Sequence, residues 1–283
     1  MKVKVAFVFT CKDEEPDWKI QKQVWRLFTK LKKYKIGTFG VDPVYLLDQE
    51  TELYQQGVET YEKNKQDIKF VRHYFKLYMT EEEKEKAVAF QIIYPDEFCG
   101  EYEDSSYEHK SCEKCEKKEK SDDTFYVQPK GYIKRHQNDF GLVAIDGQSE
   151  IVLLPKVMEA FVSEGVNEKY FCPVFSKKRK ILGYVFQVPN VLAEGSFMDP
   201  NYAGATKCPE CEAICLEESK GNCYIREKKI KATEVKNLKD INCTYEFFDG
   251  YRQVIVSPKV QKIMERCVGD ALFVPIFETS EAL

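Results

Sequence analysis

The sequence predicts an α+β protein: two tandem β-rich modules, each with a helix packed on a small sheet, sharing a zinc-knuckle region and preceded by an N-terminal α/β segment. Three observations predict it. Segments from about residue 85 onward match one another at a nearly constant offset, each matching stretch contains one Cys-x-x-Cys pair, and the first 84 residues match neither stretch. A repeat of that kind reads as one supersecondary unit used twice. The expected divisions are therefore an N-terminal α/β segment, 1–84, a first module, 85–180, and a second module, 181–283.

Element by element, the N-terminal segment opens with an apolar strand, Val3 to Thr10. Asp17 can cap the helix that follows, in which Ile20, Val24, Leu27, Phe28 and Leu31 recur at helical spacing. Gly37 and Gly40 break the run, Val44 to Leu47 reads as a strand, and Thr51 to Lys63 as a second helix. Between Asp67 and Met79 the pattern fits two periods. Ile68, Phe70, Arg72 and Tyr74 alternate as in a strand, whereas Val71, Phe75 and Tyr78 suit a helix; the strand is preferred. Thr80 caps a short turn through Glu83.

The repeat comes next. Cys112, Cys115 and Glu116 align on Cys208, Cys211 and Glu212, and Phe90-Gln91 on Phe186-Gln187. Asp146-Gly147 aligns on Asp249-Gly250, and Pro155-Lys156-Val157 on Pro258-Lys259-Val260. Phe171 to Phe175 aligns on Phe273 to Phe277, and, more weakly, Tyr132-Ile133-Lys134 on Tyr224-Ile225-Arg226. One copy reads as strand, polar loop, knuckle, short strand, Asp-Gly turn, strand, helix, strand. Asp-Gly between apolar runs signals a hairpin. Pro155 and Pro258 suit a first helical turn, where a missing N–H costs nothing. Ser257 is a good cap for the second helix and Leu154 a poor one for the first. The helices should lay Val157 and Phe161, or Val260, Ile263, Met264 and Cys267, on a sheet built from Ile151–Leu153 and Phe171–Phe175, or from Val254–Val256 and Phe273–Phe277.

Composition narrows the function classes. The 283 residues are 43% apolar and 32% charged, with 13% aromatics, as in folded globular chains. Net charge is −4, with the signs interspersed, so nucleic-acid binding is disfavoured. The densest basic stretch, Lys30 to Lys35, is expected at a helix C-terminus, where cations suit the dipole. No segment has membrane-spanning length and the acidic run after Met1 to Thr10 does not resemble a signal peptide, which predicts a cytoplasmic protein with no membrane partner.

Eleven cysteines, an odd number, argue against a secreted disulfide framework. Cys112, Cys115, Cys208 and Cys211 supply four thiolates, the set that structural Zn²⁺ takes in tetrahedral geometry. The long separation of the pairs leaves three arrangements open. The ion can be shared between modules, which the duplication favours; it can be local to Cys208, Cys211, Cys215 and Cys223; or the cysteines are ordinary thiols or a disulfide. His109 is the extra ligand near the first pair. A redox role is disfavoured because charged residues, Lys117 to Lys120 and Asp122-Asp123, follow the first pair in place of an apolar helix. Cys11, Cys99, Cys172, Cys243 and Cys267 read as packing residues. Among His73, His109 and His136 none has metalloprotease spacing, and no phosphate loop or nucleophile elbow occurs, so no catalytic residue is assigned.

In this layout, Cys112-Glu-Lys-Cys115, then Ile151 to Phe175, then Cys208-Pro-Glu-Cys211, then Val254 to Phe277, the chain resembles the bacterial double-CxxCG motif family over its last two-thirds. It departs from the pattern where glycine follows the second cysteine of each pair: Glu116 and Glu212 stand there. The resemblance implies an immunity protein of a polymorphic toxin system, a non-catalytic protein that binds and neutralises a cognate toxin domain. The alternative is a zinc-stabilised regulatory or nucleic-acid-associated module.

Overall fold

The computed structural model describes residues 2–12, 18–39, 42–92, 101–103, 109–115, 117–120, 125–126, 128–129, 142–145, 151–176, 178–218, 227–268 and 273–280. The fold is α+β, and the chain forms two compact units, Met1–Lys84 and, for the second, Glu85–Ser219 with Arg226–Leu283. The Asp17 cap, Gly40, Cys99, Glu116, His136, Asp122-Asp123, Asp146-Gly147, Cys223 and the Tyr132 and Tyr224 stretches lie outside the described residues.

In the first unit, β1 (Lys2–Cys11) is flanked by β3 (Asp42–Asp48) and β4 (Ile68–Tyr78), with β2 (Lys35–Phe39) outside β3, all antiparallel. The ambiguous stretch is thus a strand. It pairs with β1 along its length, and tertiary pairing overrides a mixed period. Helices α1 (Trp18–Leu31) and α2 (Glu52–Lys63) cover one face of this sheet. Phe7 meets Tyr54 of α2 edge-on at 5.3 Å, and Phe9 meets Phe28 of α1 edge-on at 6.1 Å. The apolar stripe of α1 buries Val24, Leu27 and Leu31. Thr51 caps α2 by accepting from the Tyr54 N–H. Short α3 (Glu81–Lys86) begins with a reciprocal cap: the Glu83 N–H donates to Thr80 Oγ1, and the Thr80 N–H to Glu83 Oε2.

The second unit contains two large sheets. Its strands, in chain order, are β5 (Ala89–Ile92), β6 (Glu101–Glu103), β7 (His109–Ser111), β8 (Lys118–Lys120), β9 (Phe125–Tyr126), β10 (Gln128–Pro129), β11 (Leu142–Ile145), β12 (Ile151–Leu153), β13 (Phe171–Phe175) and β14 (Ile181–Phe186). They continue with β15 (Phe197–Met198), β16 (Tyr202–Lys207), β17 (Ile214–Glu218), β18 (Lys228–Lys231), β19 (Ile241–Cys243), β20 (Phe247–Phe248), β21 (Val254–Val256) and β22 (Phe273–Thr279). Helix α4 (Pro155–Ser163) joins β12 to β13, α5 (Ala232–Val235) follows β18, and α6 (Pro258–Val268) joins β21 to β22. The sheets run β10-β6-β11-β12-β14-β13-β9 and β15-β18-β22-β5-β21-β19. Both contain one five-strand order: β11-β12-β14-β13-β9 in the first is β19-β21-β5-β22-β18 in the second.

Each helix joins two strands of one sheet, as expected, and the sheet holds one strand more between them. The strands before and after each helix are not neighbours, because one antiparallel strand lies between them. That middle strand is β14 between β12 and β13, and β5 between β21 and β22. The aligned leading strands are therefore exchanged: β5, at the head of the first copy, completes the sheet of the second, and β14, at the head of the second, completes that of the first. Gly183 marks how closely β14 approaches: a Cβ there would fall 2.5 Å from Val152 Cγ1 and 2.6 Å from the Leu153 carbonyl oxygen. Only glycine fits without displacing backbone.

Helix α4 buries Val157, Met158 and Phe161, and Phe161 stacks on Phe171 at 5.3 Å. Helix α6 buries Val260, Ile263 and Met264. The capping expectations agree with the structure: Ser257 Oγ accepts from the Val260 N–H, and Leu154 makes no side-chain cap. The Asp249-Gly250 turn is a two-residue hairpin with both φ values positive, 49° and 83°, and reciprocal Phe248–Tyr251 backbone bonds. Buried Cys172 and Cys243 fill core positions; Cys11 and Cys267 are half-buried.

Candidate metal centre

Each Cys-x-x-Cys pair is the turn of a β-hairpin. Strands β7 and β8 pair from His109↔Lys120 to Ser111↔Lys118, and the Cys112 N–H closes the turn on the Lys117 carbonyl at 3.0 Å. Strands β16 and β17 end at Lys207↔Ile214, and the Cys208 N–H closes on the Ala213 carbonyl at 2.8 Å. The two turns span the same number of residues and present their sulfurs alike. In the second, the Glu212 N–H also returns to the Cys208 carbonyl, and Glu212 sits at φ 58°. A left-handed residue here costs a non-glycine side chain about 1 kcal/mol, which explains why glycine suits this place in such knuckles.

The hairpins meet sulfur to sulfur. Cys112 Sγ lies 3.8 Å from Cys208 Sγ, Cys115 Sγ lies 3.6 Å from Cys211 Sγ, and all four sulfurs are within 4.8 Å of one another. A tetrahedral ion with bonds of about 2.3 Å separates its sulfurs by about 3.8 Å, so the four thiols have the spacing to hold one metal ion. The structure brings together all four cysteines that the sequence singled out. Cys215 lies outside this group of four, although it is close enough to Cys115 to interact with its thiol. His109 is on β7, ahead of the knuckle.

Three of the four thiols are displaced from their ordinary range by their surroundings. Backbone N–H groups of Cys211 and Glu210 pull the Cys208 thiol down to about 7. Burial, together with the Cys208 and Cys112 thiols, pushes Cys115 up to about 11. At Cys211 the Ala213 N–H acts downward, but burial and the three other thiols outweigh it and the group rises to about 12. Around the sulfurs, the Glu210 carboxylate stands 3.8 Å from Cys112 Sγ. The Lys117 ammonium lies over the Phe247 ring at 5.2 Å, and the Arg252 guanidinium lies over the same ring at 4.8 Å. Sequence reasoning assigned none of these flanking residues to the site: Glu210 and Lys117 merely border a cysteine pair, and nothing local links Arg252 to one.

A pH dependence follows from these shifts. At neutral pH, Cys115 and Cys211 are protonated in the metal-free protein, so loading an ion must displace both protons. Affinity is expected to rise with pH across the neutral range by about a hundredfold per unit or more. Calorimetric titration in buffers of different ionisation enthalpy should show at least two protons released per ion.

The second unit, with two split β-α-β sheets and a four-thiol cluster, defines the class to which this chain belongs structurally: an α+β protein with a candidate metal centre. Comparison with family models, with curated proteins and with solved structures returned no match. Among the described residues, no helix is long and apolar enough to cross a membrane.

Proposed function

We propose that this chain is a non-catalytic binding protein of the immunity type, cytoplasmic, that neutralises a cognate toxin domain, and that Cys112, Cys115, Cys208 and Cys211 hold one structural zinc ion shared between its two hairpins. The observation that carries the metal part of this reading is the sulfur cluster, whose spacing suits a tetrahedral ion with four protein ligands; the immunity part rests on the resemblance of the repeated Cys-x-x-Cys pattern. Zinc and iron both accept four thiolates in this geometry; zinc is preferred for a site whose role is to hold two segments together. Four protein ligands leave no position for water or substrate, and a catalytic zinc needs one. The ion supplies cross-linking energy rather than chemistry. Its effect is largest for the β7–β8 hairpin, which among the described residues forms a two-stranded sheet of its own, a structure of marginal stability in isolation.

Two measurements test the reading. Elemental analysis of protein purified without chelator is expected to give one zinc per chain; one iron, or no metal, removes the zinc clasp. Co-expression with the product of the neighbouring gene is expected to give a stable complex and to rescue growth. A neighbour that is not toxic, or that does not bind, removes the immunity reading.

A further inference from the structure

Helix α1 and the chain after it carry a charge distribution unlike the rest of the protein. From Trp18 to Phe39 every charged side chain is a cation: Lys19, Lys22, Arg26, Lys30, Lys32, Lys33 and Lys35. The chain as a whole has a net charge of −4. All seven side chains are exposed. Lys19, Lys22, Arg26 and Lys30 follow one another at spacings of three and four residues, so they form a single line along the helix, roughly 16 Å long at 1.5 Å per residue.

The dipole expectation accounts for little of this. Helix α1 ends at Leu31, so only Lys30 lies in its last turn, while Lys32 and Lys33 form a 3₁₀ turn and Lys35 begins β2. Lys19 and Lys22 sit near the N-terminal end, where cations oppose the dipole, and Lys22, Arg26 and Lys30 repel one another at four-residue spacing. Lys30 donates to Gln56 Oε1 at 3.1 Å, and Lys33 lies 4.9 Å over the Tyr34 ring. Among the described residues, Lys22, Arg26, Lys32 and Lys35 form no ion pair.

Beside the cationic line stands Trp25, 72% exposed, the most exposed large apolar side chain of the protein among the described residues. It borders a groove of about 410 Å³ lined by Cys11, Gln21, Lys22, Val24, Trp25 and Phe28. An exposed tryptophan and Lys22 border a recess that can take an apolar side chain, with Arg26 one turn along from Lys22, and together they have the ingredients of a protein-binding hot spot.

We infer that the α1 face is a docking surface for an acidic protein segment, one that sets an apolar side chain in the groove beside Trp25 and lays carboxylates along Lys22, Arg26 and Lys30. The apolar recess favours a protein over nucleic acid, whose phosphate backbone offers the cations a match but the recess no aliphatic anchor. The inference deepens the binding-protein reading by naming the chemistry of one contact face. It rests on that reading only in taking the partner to be a protein, and it is independent of the metal.

The test uses the full chain and three synthetic probes: a glutamate-rich peptide with one central phenylalanine, the same peptide with glutamines for glutamates, and a short DNA duplex. Titration calorimetry measures binding for every variant, and tryptophan fluorescence, with Trp25→Phe to isolate the Trp25 signal, places the contact. The acidic peptide is expected to bind and to shift Trp25 emission, with affinity falling as salt rises. Lys22→Glu combined with Arg26→Glu should weaken it by about tenfold or more, and Trp25→Ala by a similar factor. These side chains are exposed, so circular dichroism should be unchanged. Equal binding of the glutamine peptide, an unaffected charge-reversed variant, or tighter binding of the duplex would each overturn the proposal. The co-expression result is read separately: a toxin complex that still forms with the Lys22→Glu, Arg26→Glu chain leaves the immunity reading standing and removes this surface from it.

Discussion

With the proposed ion bound, stripping it, or replacing Cys208 by serine, is expected to lower the midpoint of thermal unfolding by about 10 °C or more. A ligand present at a thousand times its dissociation constant stabilises the folded state by about 4 kcal/mol. In a domain of 150–250 residues each kcal/mol moves the midpoint by about 2–4 °C. Cys208 is the choice because it is buried, 3% exposed, and holds the lowest of the shifted thiols in the centre. Cys215→Ser is the matched control, since Cys215 stands outside the group of four: it should retain the metal and the midpoint. Hydrogen exchange localises the effect. Loss of the ion should release the β7–β8 hairpin first, because it pairs with no other strand among the described residues. If Cys208→Ser and Cys215→Ser melt alike, the four-thiol centre is not what holds these hairpins.

Asp199→Ala should destabilise the second unit by about 3–5 kcal/mol, the cost of leaving a buried charge without its partner. Asp199 and Lys228 form an ion pair in which the side chains are 1% and 5% exposed. The carboxylate also receives the Asn201 N–H at 3.0 Å. Lys228 opens β18, which pairs with both β15 and β22, so the pair ties an edge of the six-stranded sheet to the loop that precedes β16. The double replacement Asp199→Leu with Lys228→Met should recover most of the loss, since an apolar pair of similar volume is often as stable as a buried ion pair. Urea denaturation of the two variants decides it. A single variant within 1 kcal/mol of the parent would show that water reaches the pair in solution.

Local chemistry was readable in the sequence; long-range partnership was not. Thr80 with Glu83, Ser257, Asp249-Gly250 and the stripes of α1 and α6 each act within a few residues, and each adopts the expected conformation. The four cysteines were visible because a two-residue spacer is a ligand signature. That the pairs face each other depends on how two hairpins approach, which no local pattern encodes. Asp67 to Met79 was ambiguous because both periods fit, and pairing with β1 decided it. Lys228 and Asp199 carried no signal, since a lysine in an alternating strand reads as solvent-facing until its neighbours are known. The exchange of β5 and β14 is the clearest case: two aligned strands look equivalent in sequence whichever sheet receives them.

That exchange also sets an order of assembly during synthesis. Strand β5 leaves the ribosome long before β21 and β22, the strands it must separate; Gln91 and its hydrogen-bond partner Gln253 are 162 residues apart. The sheet around β12, β13 and β14 draws its core from one continuous stretch and can close early. The other sheet must wait for β21 and β22, with β5 held open meanwhile. Pairings at such separation are slow to form, and a nascent chain stalled before β21 would expose an unsatisfied strand and its apolar neighbours to whatever chaperone is at hand.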